Sequence, residues 1–155
     1  MRIYFAAPLD SKEARETNER LARDLRRMGH TVFLPQEHGV GDVKLQGLDK
    51  ESEEYWEKRH ELWSMLYQID MVGLKACDCV VAISTKEDGH LSAGMIWEMG
   101  WATGHNIPVF LCTQGLEDKM DYSLMVMHSV DMSFQLWSEL LQWLKFIEKE
   151  GEEND

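Results

Sequence analysis

Glu98 is a carboxylate set among large apolar residues, in the stretch LSAGMIWEMGWATGHNIPVF at residues 91–110. Burial among such neighbours would raise its pKa and make it reactive, whereas an ordinary helical glutamate is solvated. It is also the only acid between Asp88 and Glu117, and it follows a predicted ligand-binding loop. We therefore interpret Glu98 as a functional residue.

A second carboxylate, Asp70, ends a long helical pattern in YQIDMVGLKACD at residues 67–78. Aspartate is unfavourable near a helix C-terminus, where the dipole favours cations, so its position indicates either a function or a solvated acid. Together, Asp70 and Glu98 would supply the two carboxylates of glycosidic cleavage. One would attack the anomeric carbon, and the other would handle protons or hold the sugar.

Ser92 opens the helix that carries Glu98, and serine is among the commonest N-caps. With Ala93 and Gly94 it also forms a helix N-terminus, where backbone N–H groups can bind a phosphate at close range. Tyr4 lies in the first predicted strand. It is either a core aromatic or a hydroxyl hydrogen-bonded to Glu98.

Length and charge limit what the chain can bind. It has 155 residues and a net charge of −12, so we expect one domain at residues 1–147 and an acidic, disordered tail at 148–155. No basic face for long nucleic acid and no apolar run for a membrane span is visible. The N-terminus lacks the pattern of a signal peptide, and three cysteines favour a reduced, cytoplasmic protein.

The sequence predicts no metal and no cofactor. Cys77 and Cys79 flank a strand start, but no second pair with zinc-like spacing accompanies them. Four histidines also have no metal-binding spacing: His38, His90, His105 and His128. We interpret each of them as structural or exposed.

Strand and helix patterns alternate along the chain. They predict strands at residues 2–5, 31–34, 79–84, 108–112 and 131–134, and helices at 10–29, 50–72, 92–104 and 135–150. This alternation, with buried strands, favours an α/β fold with a parallel sheet covered on both faces. Ligands then bind beyond the carboxyl ends of strands, which selects the loops at residues 6–10 and 84–94.

Four segments resemble a known family. They begin at Arg2 (RIYFAAPLDSKEARETNERLARDLRRMGHTVFLPQE), Asp70 (DMVGLKACDCVVA), Ser92 (SAGMIWEMGWA) and Tyr122 (YSLM), and they are similar to the nucleoside 2-deoxyribosyltransferase superfamily as far as Val130. The resemblance implies a flavodoxin-like (Rossmann-like) fold with a five-stranded parallel sheet.

The same resemblance implies roles for three residues. Glu98 matches the nucleophile, Asp70 the aspartate that assists at the sugar and base, and Tyr4 the tyrosine that positions the glutamate. It also implies a homodimer or higher homo-oligomer, in which Ser123 and Met125 complete the site of a neighbouring chain.

Two branches of the superfamily differ at Ser92 and Ser123. Transferases that exchange bases on free deoxynucleosides typically have aspartate and asparagine there, whereas the 5′-monophosphate N-glycosidases have serines that hold the 5′-phosphate. A carboxylate at position 92 would repel a phosphate by about 4 kcal/mol per unit charge pair at about 4 Å. The segments S-x-G-x-x-x-E, S-x-M and F-Q-x-W therefore resemble the glycosidases, while AAPLD at residues 6–10 resembles the transferases and offers no arginine.

We therefore expect hydrolysis of a (deoxy)nucleoside 5′-monophosphate through a glycosyl-Glu98 intermediate. The residues expected to bind substrate are Ala6, Ala7, Ser92, Gly94 and, from a partner chain, Ser123 with Met125. The alternatives are base exchange on free deoxynucleosides and a non-catalytic nucleotide-sensing domain. The base and the sugar stay open, since residues 36–38 either reach the base or form a plain loop.

Overall fold

The computed structural model describes residues 1–39, 45, 47–84, 91–113 and 123–153. The strands are β1 (Arg2–Ala6), β2 (Thr31–Phe33), β3 (Cys79–Ile83), β4 (Val109–Cys112) and β5 (Met132–Phe134). The helices are α1 (Lys12–Arg27), α2 (Pro35–His38), α3 (Glu53–Ala76), α4 (Ala93–Gly104), α5 (Leu124–His128) and α6 (Trp137–Glu153). The predicted alternation of strands and helices is confirmed.

The five strands form one sheet in the order β2-β1-β3-β4-β5, and every neighbouring pair is parallel. This is the flavodoxin-like order, so the predicted fold is confirmed. The order reverses between β1 and β3, and the switch point therefore lies beyond Ala6 and Ile83. Of the second predicted loop, residues 85–90 lie outside the described part of the chain.

Each face of the sheet packs against its own helices. On one face, Ile3 and Phe5 of β1 belong to a core that includes buried leucines of α1 and α6. On the other face, Tyr4 and Ala6 belong to a core that includes buried residues of α3 and α4. Alternate side chains of β1 therefore point to opposite layers, and Tyr4 points toward the helices that carry Asp70 and Glu98.

The ends of α1 differ slightly from the prediction. Ser11, rather than Asp10, is the N-cap, because its Oγ accepts a 3.0 Å hydrogen bond from the backbone N–H of Ala14. At the other end, Gly29 has a φ of +96°, which an L side chain rarely adopts. The predicted stop at Gly29 is confirmed.

A short helix follows β2 where the sequence predicts a loop. Pro35 stands in its first turn, where the missing N–H costs no hydrogen bond and the fixed φ suits a helix. The helix ends at His38, and it brings that residue back toward the sheet. This local turn becomes important for the site.

The C-terminal helix α6 is longer than expected. The sequence predicts a disordered tail from residue 148, but the helix continues to Glu153. Glutamate and lysine are good helix formers, so an acidic composition alone does not end a helix. Within the described ranges, no helix has both the length and the hydropathy needed to cross a membrane.

Candidate active site

Glu98 and Tyr4 are joined by a hydrogen bond. The Tyr4 hydroxyl donates to Oε1 of Glu98 over 2.7 Å, which is the contact that the functional interpretation of Tyr4 predicts. Tyr4 is fully buried in the middle of β1, and Glu98 is partly buried in the second turn of α4. The rigid strand therefore fixes the orientation of the carboxylate.

The pKa of Glu98 is raised from 4.5 to about 7. Burial is the main cause, and the negative charge of Asp70 adds to it, while the hydrogen bond from Tyr4 acts in the opposite direction. Both the carboxylate and the carboxylic acid are therefore populated near neutral pH. A carboxylate that is poorly solvated in this way is a reactive nucleophile.

Asp70 lies on α3, which continues past it to Ala76. The prediction that Asp70 ends its helix is therefore wrong, and the dipole argument does not explain the residue. Its side chain is partly buried at the wall of a cavity, and burial raises its pKa from 3.8 to about 6, an effect that the charge of His38 opposes. Asp70 can thus hold or release a proton near neutral pH.

A cavity of about 450 Å³ brings Asp70 and Glu98 together. Gly94 also lines it, and the rest of its wall is apolar and aromatic: Trp63, Leu66, Tyr67, Met71, Leu74 and Trp97. This volume lies in the range of small-molecule sites, and apolar walls with a few polar groups are typical of them. Tyr67 and Trp97 meet edge to face, with ring centroids 5.7 Å apart, and both are about half exposed.

Ser92 caps α4 as the sequence predicts. Its Oγ accepts a 3.2 Å hydrogen bond from the backbone N–H of Met95. Gly94 has open space around it, since a methyl group at its Cα would meet Ser92 Oγ as its nearest atom, at 3.9 Å. An exposed helix N-terminus therefore stands beside the cavity that contains Glu98.

The side chains of Ala6 and Ala7 are both buried, one in each core. Only their backbone groups are therefore available to a ligand. Ser123 and Met125 do not line the Glu98 cavity of their own chain. Ser123 instead caps α5 by accepting a hydrogen bond from the backbone N–H of Val126, and Met125 is 83% exposed.

Two of the residues that follow β2 are engaged elsewhere. The Gln36 amide accepts from Asn18 Nδ2 over 3.2 Å and donates to the backbone oxygen of Arg15 over 2.9 Å. Glu37 forms a two-pronged ion pair with Arg26, with distances of 2.7 and 2.6 Å, and this pairing lowers its pKa. Both side chains therefore hold α2 against α1, and His38 is left as the residue of this helix that faces the site.

Sequence reasoning missed a stack of three rings behind the site. Tyr4 and Phe33 are neighbours across β1 and β2, with ring centroids 5.4 Å apart and nearly parallel planes. Phe33 stacks in turn on His38 at 4.4 Å. Gly73 of α3 permits this arrangement, because a Cβ there would lie 2.6 Å from the Phe33 ring.

The sequence did carry a signal for the aromatic wall. Trp63, Leu66, Tyr67 and Asp70 follow one another at helical spacing, so they share one face of α3. Among the residues that the structure describes, no group of three or more histidine, cysteine or acidic side chains is placed to hold a metal ion.

Comparisons with known proteins add to this geometry. The family model of the nucleoside 2-deoxyribosyltransferases matches residues 3–134. Among solved structures, the 2-deoxyribosyltransferase of the psychrotolerant bacterium Bacillus psychrosaccharolyticus is similar at 25% identity, over 90% of each chain, with a TM-score of 0.66. No curated protein sequence matches the chain.

Two further structures share the fold. A conserved protein from Enterococcus faecalis V583 is 22% identical over 92% of this chain and 96% of its own, with a TM-score of 0.70. The CMP N-glycosidase BcmB of Clostridium botulinum is 18% identical over 94% of this chain and 99% of its own, with a TM-score of 0.54.

Proposed function

We propose, since the chain belongs to the nucleoside 2-deoxyribosyltransferase family, that it hydrolyses the N-glycosidic bond of a nucleoside or 2′-deoxynucleoside 5′-monophosphate. The observation that carries the proposal is the Glu98 carboxylate, held by Tyr4 at 2.7 Å in a cavity shared with Asp70. A nucleotide-sensing domain is the weaker alternative, because the family consists of enzymes and a sensor needs no such nucleophile.

In the first step, ionised Glu98 attacks C1′ of the sugar. The bond between C1′ and the base breaks, its electron pair goes to the base nitrogen, and protonated Asp70 gives the base a proton. The transition state resembles an oxocarbenium ion, which the nearby carboxylate stabilises. The products of this step are the free base and a glycosyl ester of Glu98.

In the second step, water attacks C1′ of the ester. Asp70, now a carboxylate, accepts a proton from that water, and the bond between C1′ and Glu98 breaks. Glu98 leaves as a carboxylate, and the sugar phosphate is released. Asp70 suits both roles, because its pKa of about 6 lets it exchange a proton near neutral pH.

The 5′-phosphate would bind at the N-terminus of α4, through Ser92 and the backbone N–H of Gly94. A phosphate there meets donors and the positive end of the helix dipole, with no carboxylate at position 92 to repel it. The backbone of Ala6 and Ala7 lies at the neighbouring carboxyl end of β1. We further propose that Ser123 and the exposed Met125 reach the phosphate end of the site in a second copy of the chain.

Base exchange on free deoxynucleosides is the second candidate. The similarity to the Bacillus psychrosaccharolyticus enzyme favours it, as does the loop after β1, which offers no arginine for a phosphate. It shares Glu98 as nucleophile and differs in what resolves the ester, a second base instead of water. For either activity the odd number of cysteines, three, supports a reducing compartment, and we propose the cytoplasm.

One experiment separates the candidates. Purified protein is incubated with ribo- and deoxyribonucleosides of all common bases, with and without the 5′-phosphate, and free base is measured by chromatography. We expect base release from monophosphates only. Release from nucleosides alone would contradict the proposal, and base swapping after addition of a second base would establish the exchange reaction.

Variants of two glutamates serve as controls for that panel. Glu98→Ala is expected to abolish base release, because no nucleophile remains. Glu57→Ala removes an exposed glutamate of α3 and is expected to leave it unchanged. Activity that survives Glu98→Ala would assign the base release to a contaminant or to another residue.

A further inference from the structure

His38 is connected to the catalytic carboxylate by a continuous series of contacts. Its ring stacks on Phe33 at 4.4 Å with planes 17° apart, and Phe33 stacks on Tyr4 at 5.4 Å with planes 13° apart. Tyr4 then donates its hydroxyl hydrogen to Glu98. Because Gly73 allows α3 to press directly on the Phe33 ring, the stack has little freedom to move.

His38 also acts electrostatically on Asp70. Its positive charge lowers the pKa of Asp70, against the larger effect of burial. On its own helix, His38 also lowers the pKa of Glu37, whose carboxylate is already paired with Arg26 of α1. The other titratable groups that these packed elements present to the site are Tyr4 of β1 and Glu98 of α4.

We propose that His38 is a positioning residue that decides whether Asp70 enters the reaction as a carboxylate or as an acid. With His38 protonated, Asp70 stays ionised and can accept a hydrogen bond from an amino group of the base. With His38 neutral, Asp70 takes up the proton that the departing base requires. This inference rests on the proposed function for the role of Asp70, but not for the coupling between the two residues.

Two variants separate the charge of His38 from its packing. His38→Phe keeps a ring on Phe33 and removes the charge, whereas His38→Gln removes both. The carboxyl carbon of Asp70 is followed by ¹³C NMR as a function of pH in the protein without substrate. In both variants we expect its titration midpoint to rise by about half a pH unit, as for a partly exposed charge pair.

The matched control is His60→Gln, which removes an exposed histidine from the same helix as Asp70. It should leave the midpoint unchanged. The coupling is also reciprocal, so Asp70→Asn should lower the titration midpoint of His38 by a similar amount. An unchanged Asp70 midpoint in His38→Phe, or an equal shift in His60→Gln, would overturn the proposal.

The NMR measurement needs no turnover, so it stays informative if the nucleotide panel fails. An inactive panel with a shifted Asp70 midpoint would overturn the proposed function and leave the coupling intact. If the panel succeeds, the pH dependence of kcat/KM gives a second readout. The limb that reports Asp70 should then move to higher pH in His38→Phe and not in His60→Gln, and a limb that stays in place would refute the role in catalysis.

Discussion

The hydroxyl of Tyr4 and the carboxylate of Glu98 form a 2.7 Å hydrogen bond between β1 and α4, and the two residues are 94 positions apart in the chain. The bond stabilises the ionised form of Glu98, while burial disfavours it. Because burial has the larger effect, the pKa of Glu98 remains raised, at about 7. The site therefore contains a nucleophile that is reactive and still partly ionised at neutral pH.

Removing the Tyr4 hydroxyl should make Glu98 harder to ionise. Tyr4→Phe deletes a hydrogen bond to a charged group, of the kind that contributes about 1.5 kcal/mol, so the pKa of Glu98 should rise by roughly one unit. Glu98 attacks only when ionised, and the acidic limb of kcat/KM should therefore move upward by the same amount. Activity should fall about tenfold at pH 6 and much less at pH 9.

The control for this variant is Tyr55→Phe, which removes a hydroxyl from α3 outside the lining of the Glu98 cavity. Its pH profile should match that of the unmodified protein. If the acidic limb stays in place in Tyr4→Phe, the hydrogen bond does not tune the nucleophile.

Glu98 should also cost stability above neutral pH. Its pKa rises from 4.5 to about 7 in the folded state, so the folded state binds the proton more tightly than the unfolded chain does. The free energy of unfolding therefore decreases as the pH rises from about 4.5 to about 7, and remains lower above that range.

Glu98→Gln removes this cost and keeps an oxygen that accepts from Tyr4. Urea unfolding should find the variant more stable by about 2 kcal/mol at pH 8 and nearly unchanged at pH 4. The exposed Glu57→Gln should show no such pH-dependent gain. A variant that is less stable at pH 8 would contradict the inferred burden of the buried charge.

The sequence was sufficient for the parts of the site that depend on local pattern. Apolar runs and helical periodicity predicted the order of elements, and the switch-point rule then placed Tyr4 and Glu98 close together. Ser92 was predictable as a cap because an N-cap hydrogen bond spans only three residues. These features follow from short-range geometry or from the general architecture of parallel sheets.

The stack behind the site could not be predicted in the same way. It depends on the register that pairs Tyr4 with Phe33 and on the turn that returns His38 to the sheet. Gly73 gave no signal either, since a glycine inside a helix is usually only a weak point. Its purpose becomes visible when the Phe33 ring is seen against α3, 2.6 Å from where a Cβ would be.

Gly73→Ala should therefore destabilise the protein although alanine is the better helix former. The added methyl would overlap the Phe33 ring, and overpacking of this kind costs about 1–3 kcal/mol. The displaced ring would also disturb Tyr4, so kcat should fall. Gly100→Ala is the control, because a Cβ there meets no atom within 4 Å, and it should gain about 0.5–1 kcal/mol. Equal effects of the two substitutions on unfolding and on kcat would refute the packing argument.

Ser92→Asp tests the phosphate site without damaging α4, because aspartate is as good an N-cap as serine. The new carboxylate would stand next to the 5′-phosphate, at a repulsion of about 4 kcal/mol per charge pair before screening. Base release from monophosphates should fall by roughly 100-fold or more, whereas any release from free nucleosides should persist or rise. Ser52→Asp is the matched control, since Ser52 caps α3 through the same kind of hydrogen bond, to the backbone N–H of Tyr55. Both variants add one negative charge at a helix N-terminus, so a loss confined to Ser92→Asp and to phosphorylated substrates would locate the phosphate at α4. A loss of equal size on nucleosides and monophosphates would place the phosphate elsewhere.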